Sequence, residues 1–167
     1  MAARTSLRDY QRDLSERLQS AKGAANASLL GVQVDDEAWL VDLREAGEVI
    51  PVPPITPLPL TRPWFRGLSN IRGNLYSVID FPALLQKRPV AAGDQARLLL
   101  LGDRFRLGAA LLIDRSLGLR NPGQLEKKQG KLPQWVRAQY TDAEGRVWKE
   151  LDVVQLAQHP DFLGVGT

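Results

Sequence analysis

The strongest constraint on the fold is an internal repeat: two stretches 72 residues apart share the pattern strand, turn, strand, aspartate and short helix. At this offset Gly73 corresponds to Gly145 and Asp80 to Asp152, and the match runs without a gap over about twenty residues. Self-similarity at a fixed spacing predicts one structural plan used twice. The alternative is coincidence, because any two hairpins share turn glycines and alternating apolar residues.

The other strand patterns predict a mainly β fold. Period-two alternation indicates a hairpin that starts at Leu29 and turns at Asp35-Asp36-Glu37. Further strands are predicted at 98–101, 107–113, 135–140 and 147–151. Short strands separated by glycine and proline turns favour small closed or nearly closed barrels. Two such barrels each form only a small core, so we expect them to pack against each other.

Two segments are predicted to lack regular structure. Residues 49–63 contain six prolines, which cannot donate to a sheet ladder or continue a helix, so an extended surface loop is expected there. Residues 118–131 are rich in Gly, Gln and Lys and predict a long loop.

Three helices are expected. Residues 6–21 place Leu7, Tyr10 and Leu14 at helical spacing, which predicts an amphipathic helix. Its apolar stripe would pack on its own domain or, alternatively, on a partner helix. Asp80 and Asp152 each follow a strand, where a carboxylate can cap the first turn of a short helix.

The residue types argue against an enzyme. The 167 residues include no cysteine and one histidine, so disulfides, thiolate nucleophiles and a zinc site of the usual type are excluded. The sequence has no Walker or dinucleotide-binding glycine loop, and no cofactor is expected. We interpret His159 as a surface or helix-end residue, and the acids Asp35-Asp36-Glu37, Asp142 and Glu144 as solvated hairpin ends.

Charge leaves one alternative function open. The net charge is +3, so a basic β-barrel that binds nucleic acid is the alternative to a protein with acidic protein partners. The arginines are scattered rather than clustered on one segment, which is weak support for nucleic acid. Residues 1–25 lack the apolar segment of a secretory signal, and 107–113 is too short to span a bilayer, so we expect a cytoplasmic protein without membrane insertion.

The remaining candidate chemistry is recognition. Arg72 is predicted at the tip of the first repeated hairpin, where its fixed N–H donors suit a carboxylate or the carbonyls at a helix end. The alternative for Arg72 is an intramolecular salt bridge or a solvated turn residue. Trp64 and Phe65 are either exposed anchors of an interface or barrel core. Glu48 is either a solvated strand residue or a contact at an interface rim.

These residues resemble the CheW family of bacterial chemotaxis coupling proteins. Gly67, Asn70-Ile71-Arg72-Gly73 and Asp80-Phe81 stand at the spacing of the family's glycine, Asn-x-Arg-Gly and Asp-Leu pattern. Glu48-Val49-Ile50 and the proline-containing segment after it resemble the family's short strand and loop. The likeness covers about 130 residues, from Leu29 to Gln158.

Some positions depart from the family pattern. Ser77 stands where the family usually has proline, and Phe81 replaces leucine. With the Trp64-Phe65 pair and the N-terminal helix, these departures make the chain more similar to the PilI-type coupling proteins of type IV pilus, twitching-motility systems than to flagellar ones.

The resemblance implies a fold and a set of boundaries. The fold is two packed SH3-like five-stranded β-barrels, preceded by the N-terminal amphipathic helix. The expected boundaries are 1–27 for the helix and linker, 28–160 for the domain, roughly 96–145 for the second barrel, and 161–167 for a tail.

The resemblance also implies a function and its residues. The function is a non-enzymatic adaptor that couples the cytoplasmic tip of a methyl-accepting receptor to a CheA-type histidine kinase, at membrane receptor arrays and without nucleic acid. The implied receptor-binding residues are Gly67, Asn70, Arg72 and Gly73, and the implied kinase-binding residues are Glu48, Val49 and Ile50.

Overall fold

The computed structural model describes residues 7–16, 29–91, 93–101 and 108–158. The helices are α1 at residues 7–16, α2 at Phe81–Leu84 and α3 at Val153–Gln158, with a short 3-10 helix at Pro122–Gln124. The strands are β1 Leu29–Val34, β2 Glu37–Asp42, β3 Ala46–Pro51, β4 Phe65–Ile71, β5 Asn74–Asp80, β6 Arg97–Leu101, β7 Ala109–Ile113, β8 Arg115–Arg120, β9 Glu126–Lys128, β10 Val136–Thr141 and β11 Val147–Leu151. The mainly β prediction is confirmed.

The strands form two sheets, which we call the central and the terminal barrel. The central barrel has five strands in the order β3-β6-β7-β5-β4. Thr56, on the chain leaving β3, forms two backbone hydrogen bonds of 2.8 and 2.9 Å with Leu68 at the free edge of β4. The terminal barrel has six strands in the order β8-β1-β2-β11-β10-β9, so it has one strand more than the five expected.

Each barrel contains a hairpin from the other half of the chain. The opening hairpin β1–β2 lies in the sheet of β8 to β11, and the hairpin β6–β7 lies in the sheet of β3 to β5. The exchange creates the two parallel pairings, β2 with β11 and β5 with β7. Parallel neighbours need a long connection, and in both pairs other elements lie between the two strands in the chain. A boundary near residue 96 therefore does not separate the sheets, and the interval 96–145 expected for a second barrel does not coincide with either of them.

The strands at the centre of the molecule are buried on both faces. In β6, Leu98 and Leu100 face the interior of the central barrel, whereas Leu99 and Leu101 join a cluster that packs the two barrels together. We call this cluster the interface core. Burial on both faces explains the continuous apolar runs in β6 and β7, which alternation alone does not produce.

The interface core also settles the role of the aromatic pair Trp64-Phe65 at the start of β4. Phe65 is buried in this core and Trp64 packs against it. Of the two interpretations left open by the sequence, barrel core is confirmed. Trp39 of β2 and Phe81 of α2 add an edge-to-face contact, with ring centroids 5.2 Å apart, so the core joins elements of both barrels.

The internal repeat is present in the structure with one correction. Gly73 and Gly145 occupy equivalent left-handed positions, with φ of 84° and 83°. The strands before the two turns, however, are offset by 71 residues, because Leu68 pairs with Ser77 and Gln139 pairs with Lys149. The prediction of a gapless match is wrong by one residue, since the turn of the second hairpin is one residue longer.

Both predicted aspartate caps are confirmed. Asp80 accepts a hydrogen bond of 3.0 Å from the amide of Ala83, and Asp152 accepts one of 3.0 Å from the amide of Gln155. Asp80 is fully buried and also accepts from Arg66 Nε at 2.9 Å and from the amide of Val90 at 3.0 Å. The carboxylate therefore fixes a helix start, a strand and the chain that follows the helix.

The bulge arginines show where the two repeats diverge. The register of β4 shifts at Arg66 and that of β10 shifts at Arg137, so the two residues are equivalent. Arg66 binds its own cap, whereas Arg137 lies 3.7 Å from Asp152 and donates to Glu45 in the connection between β2 and β3. In the second repeat the equivalent arginine, Arg137, therefore connects the terminal barrel to the residue that precedes β3.

Both loop predictions need correction. Residues 118–131 contain the end of β8, the 3-10 helix and β9 instead of a long loop, and the loop-like composition hid these elements. β8 also has a register shift next to Gly118, whose φ is 81°. In the proline-rich segment, Val49 to Pro51 belong to β3, and residues 52–63 are otherwise irregular apart from isolated bridge positions.

The described part of the N-terminal helix, residues 7–16, lies within the predicted 6–21, and the rest of that range lies outside the described residues. Leu7, Tyr10 and Leu14 are exposed, so the expected packing of this stripe on its own domain is not seen. Across the described ranges, no helix has the length and apolar character needed to cross a membrane.

We predict that Gly67→Ala lowers the free energy of unfolding by roughly 3 kcal/mol or more. The added Cβ would lie 2.1 Å from the Thr56 carbonyl oxygen, on a backbone with φ of +133°. Gly93→Ala is the control, since a Cβ there contacts nothing within 4 Å, and it should change stability by less than about 0.5 kcal/mol. Urea unfolding of both variants decides, and equal effects would contradict the role of Gly67.

The two caps give a second matched pair. Asp80→Ala should cost about 3 kcal/mol, because it leaves the Arg66 guanidinium and the Val90 amide without their buried partner. Asp152→Ala should cost about 1 kcal/mol, the value of a cap, because its side chain is 30% exposed and its ion pair with Arg137, at 3.7 Å, is partly solvated. Thermal unfolding monitored by circular dichroism measures both, and a larger loss for Asp152→Ala would refute this ranking.

Candidate functional site

The tip of the first repeated hairpin is a two-residue turn with both residues in the left-handed region. Arg72 has φ of 53° and Gly73 has φ of 84°, as a tight turn matched to the twist of the strands requires. The side chain of Asn70 accepts a hydrogen bond of 2.9 Å from the amide of Gly73 and closes the turn. The turn therefore displays Arg72 from a fixed backbone.

Arg72 is bound by Glu48 on β3. Its two terminal nitrogens donate to the two carboxylate oxygens at 2.7 and 2.6 Å, in the bidentate geometry of a strong charge-assisted pair. The pair remains accessible, with 68% of the Arg72 side chain and 40% of the Glu48 side chain exposed. Of the alternatives for Arg72, an intramolecular salt bridge is present, on a surface that a partner can reach.

The ion pair shifts both pKa values. The hydrogen bonds from Arg72 lower the pKa of Glu48 below its usual value, with a smaller opposing contribution from burial. The same hydrogen bonds raise the pKa of Arg72. Both groups are therefore charged at neutral pH.

The residues predicted for the two binding surfaces occupy different depths. Gly67 is buried beneath Thr56, where its lack of a side chain admits the neighbouring backbone. Val49 packs against the interface core, and Ile50 packs against the core of the central barrel. Asn70, Arg72 and Gly73 are exposed at the turn. The structure thus joins the two predicted surfaces through Arg72 and Glu48.

A groove of about 270 Å³ follows this ion pair along the mouth of the central barrel. It is lined by Gly47, Glu48, Ile71, Arg72, Asn74, Tyr76, Leu100 and Leu101. Leu75, beside the groove residues Asn74 and Tyr76 in sequence, is 62% exposed. Sequence reasoning missed Leu75 and Tyr76. The available signal was that the strand has two apolar residues just after the turn, before the part of β5 that is buried.

The other predicted polar residues do not assemble a reaction centre within the described residues. The Asp36 side chain is 79% exposed, as the interpretation of a solvated corner predicts, although Lys87 lies 3.2 Å from it. For Glu37 that interpretation is wrong, because its side chain is 21% exposed and is bound by Lys87 at 2.6 Å and by Lys149. Across residues 7–16, 29–91, 93–101 and 108–158, no three His, Cys, Asp or Glu side chains are placed to hold a metal ion. His159 lies outside these ranges.

Comparison with known proteins agrees with this architecture. A model of the CheW-like domain matches residues 28–161. Protein PilI of Pseudomonas aeruginosa is 25% identical over 142 residues, which cover 81% of this chain and 78% of that protein.

The crystal structure of the scaffolding protein TtCheW from Thermoanaerobacter tengcongensis matches with a TM-score of 0.61. The two chains are 15% identical, and the match covers 75% of this chain and 88% of the other. The predicted pair of SH3-like barrels is confirmed. Since the domain model spans most of the sequence and the barrels match this scaffold fold, the protein belongs to the CheW-like family.

Proposed function

We propose that this protein is a non-enzymatic adaptor that couples a methyl-accepting receptor to a CheA-type histidine kinase in the control of twitching motility. Membership of the CheW-like family of scaffold proteins supports a chemotaxis-like coupling role. The similarity to PilI supports the pilus pathway over the flagellar one. The adaptor would act in the cytoplasm, at receptor arrays.

The observation that supports the coupling mechanism is the Arg72–Glu48 ion pair. The receptor would bind the turn at Asn70, Arg72 and Gly73, and the kinase would bind the strand at Glu48, Val49 and Ile50. The ion pair joins these two surfaces directly. A partner that engages one charge changes the hydrogen bonding available to the other, so a bound receptor and a bound kinase affect each other's affinity.

The strength of such coupling is limited by the difference between the two bound states. A receptor biases the kinase only as far as it binds the paired and the separated arrangement of Arg72 and Glu48 with different affinities. Partial exposure makes both arrangements accessible, because water can replace each lost hydrogen bond. Val49 and Ile50 stay half-buried in the two cores and keep β3 in place while the charges exchange partners.

We predict that Arg72→Glu leaves the fold intact and abolishes receptor control of kinase activity, because it places two carboxylates where the ion pair was. Glu48→Arg should have the same effect, and the double charge reversal should restore part of the control. The measurement is kinase autophosphorylation in reconstituted receptor assemblies. The control is Arg62→Glu, an exposed arginine of the proline-rich segment, which should behave as the unmodified protein.

Two results would contradict this mechanism. If Arg72→Glu folds and still supports receptor control, Arg72 has no coupling role. If neither kinase nor receptor is recovered with the protein from cell extract, while the chain is folded, the proposed adaptor function itself is wrong. If the double reversal restores control, the ion pair itself is required. If it does not, each charge is required for contact with its own partner.

The pH dependence gives a further check. Because the pKa of Glu48 is lowered in the folded protein, the contribution of the pair is complete above the ordinary carboxyl pKa and is lost as the pH falls through the lowered value. Coupling should therefore be constant around neutral pH. Carboxyl-detected NMR titration should show the pKa of Glu48 returning to its ordinary range in Arg72→Gln, and an unchanged value would mean that Arg72 does not cause the shift.

A further inference from the structure

The terminal barrel has a groove at the place equivalent to the Arg72 groove. It has a volume of about 570 Å³ and is lined by Arg120, Asn121, Gln124, Leu125, Asp142, Ala143, Glu144, Arg146 and Trp148. At the repeat offset, Trp148 corresponds to Tyr76 and Glu144 to Arg72. We call it the terminal groove.

Two arginines of the terminal groove are stacked on one tryptophan. The guanidinium carbons of Arg120 and Arg146 each lie 5.0 Å from the ring centroid of Trp148, whose side chain is fully buried. The indole N–H donates to Asp142 at 3.0 Å, which fixes the ring. Stacking on a fixed ring restrains both guanidinium planes, so little freedom is lost when their N–H groups bind a ligand.

Most of the arginine donors remain available. One terminal nitrogen of Arg120 donates to the Leu117 carbonyl at 3.2 Å, and one of Arg146 donates to the Gln33 side chain at 2.9 Å. Neither guanidinium forms an ion pair with another described residue, although Asp142 is near, because the oxygens of Asp142 accept from Trp148 and from the amides of Glu144 and Arg146. The two cations are thus restrained without being neutralised by a bidentate partner.

The charge arrangement differs from that of the equivalent groove. In the central barrel the tip residue Arg72 is bound by Glu48, whereas in the terminal groove no described side chain binds the carboxylate of Glu144. The terminal groove is therefore lined by two cations, Arg120 and Arg146, and by two anions, of which only Asp142 accepts hydrogen bonds from other described residues. Such a surface suits single carboxylates placed against the two guanidinium groups better than a densely anionic ligand.

We propose that the terminal groove is a second docking site, which binds an acidic peptide segment of a partner protein through aspartate or glutamate side chains on Arg120 and Arg146. A single carboxylate matches a guanidinium with two hydrogen bonds. Glu144 and Asp142 disfavour a phosphate dianion or a nucleic-acid backbone, which would bring dense negative charge beside them. Leu125 and Ala143 supply an apolar wall for the rest of the segment. This site is independent of the proposed receptor and kinase surfaces.

The test uses the full chain labelled with nitrogen-15 and a probe peptide that alternates Glu and Leu. The expected result is a shift of the Trp148 indole N–H signal and of the Arg120 and Arg146 side-chain signals on titration. Arg120→Gln combined with Arg146→Gln should weaken binding at least tenfold, since two charge-assisted hydrogen-bonding groups are lost. Glu144→Gln should strengthen it about threefold by removing a like charge.

The matched control is Arg115→Gln, which removes an exposed charge from the same strand, β8, outside the terminal groove. It should leave the affinity within twofold. Equal weakening by Arg115→Gln would mean general charge attraction and overturn the proposal. Tighter binding of inorganic phosphate or of an oligonucleotide, or shifts confined to other tryptophans, would also overturn it. Circular dichroism of each variant verifies folding, and the two single substitutions, Arg120→Gln and Arg146→Gln, replace the double variant if that one unfolds.

Discussion

The interface core is the interaction on which the rest of the structure depends. Because each barrel contains a hairpin from the other half of the chain, this core forms only when both halves are in place. Asp114, after β7, reinforces the exchange: its carboxylate accepts from the Asp35 amide at 2.6 Å, and its own amide donates to Gln33 at 3.1 Å. The turn of one exchanged hairpin is thereby fastened to the end of the other, and the groove surfaces sit on a unit that folds as a whole.

Local patterns predicted the elements well, because the signals for strands, turns and caps lie within a few residues. The hairpin at Asp35, the turn at Arg72 and the caps at Asp80 and Asp152 all belong to this class. β9 escaped detection because its three residues, Glu126 to Lys128, are charged and exposed. β8 escaped because its alternation is limited to Leu117 and Leu119 around Gly118, at the start of a segment with the composition of a loop.

Pairing between distant segments was not predictable in the same way. Period-two alternation states which face of a strand is buried, and it does not state which strand lies beside it. The hairpin exchange and the Arg72–Glu48 pair both depend on such non-local neighbours, with Glu48 lying 24 residues before Arg72. The sequence therefore made Arg72 and Glu48 separate candidates for recognition, and only the folded chain brings them into one ion pair.

The hairpin exchange has a consequence for how such a chain can arise. Consider a single repeat that runs from a hairpin like β1–β2 to a helix like α2. Its three later strands would lack the two strands that separate them in the sheet, and its first hairpin would have no sheet to join. Two copies would complete each other by trading hairpins, with the same parallel pairings as β2 with β11 and β5 with β7. The present chain has the geometry of a hairpin-swapped homodimer whose two subunits have been fused through the segment between α2 and β6. Fusion makes the partner permanent, and it lets the two halves differ in charge, as they do at the equivalent positions Arg72 and Glu144.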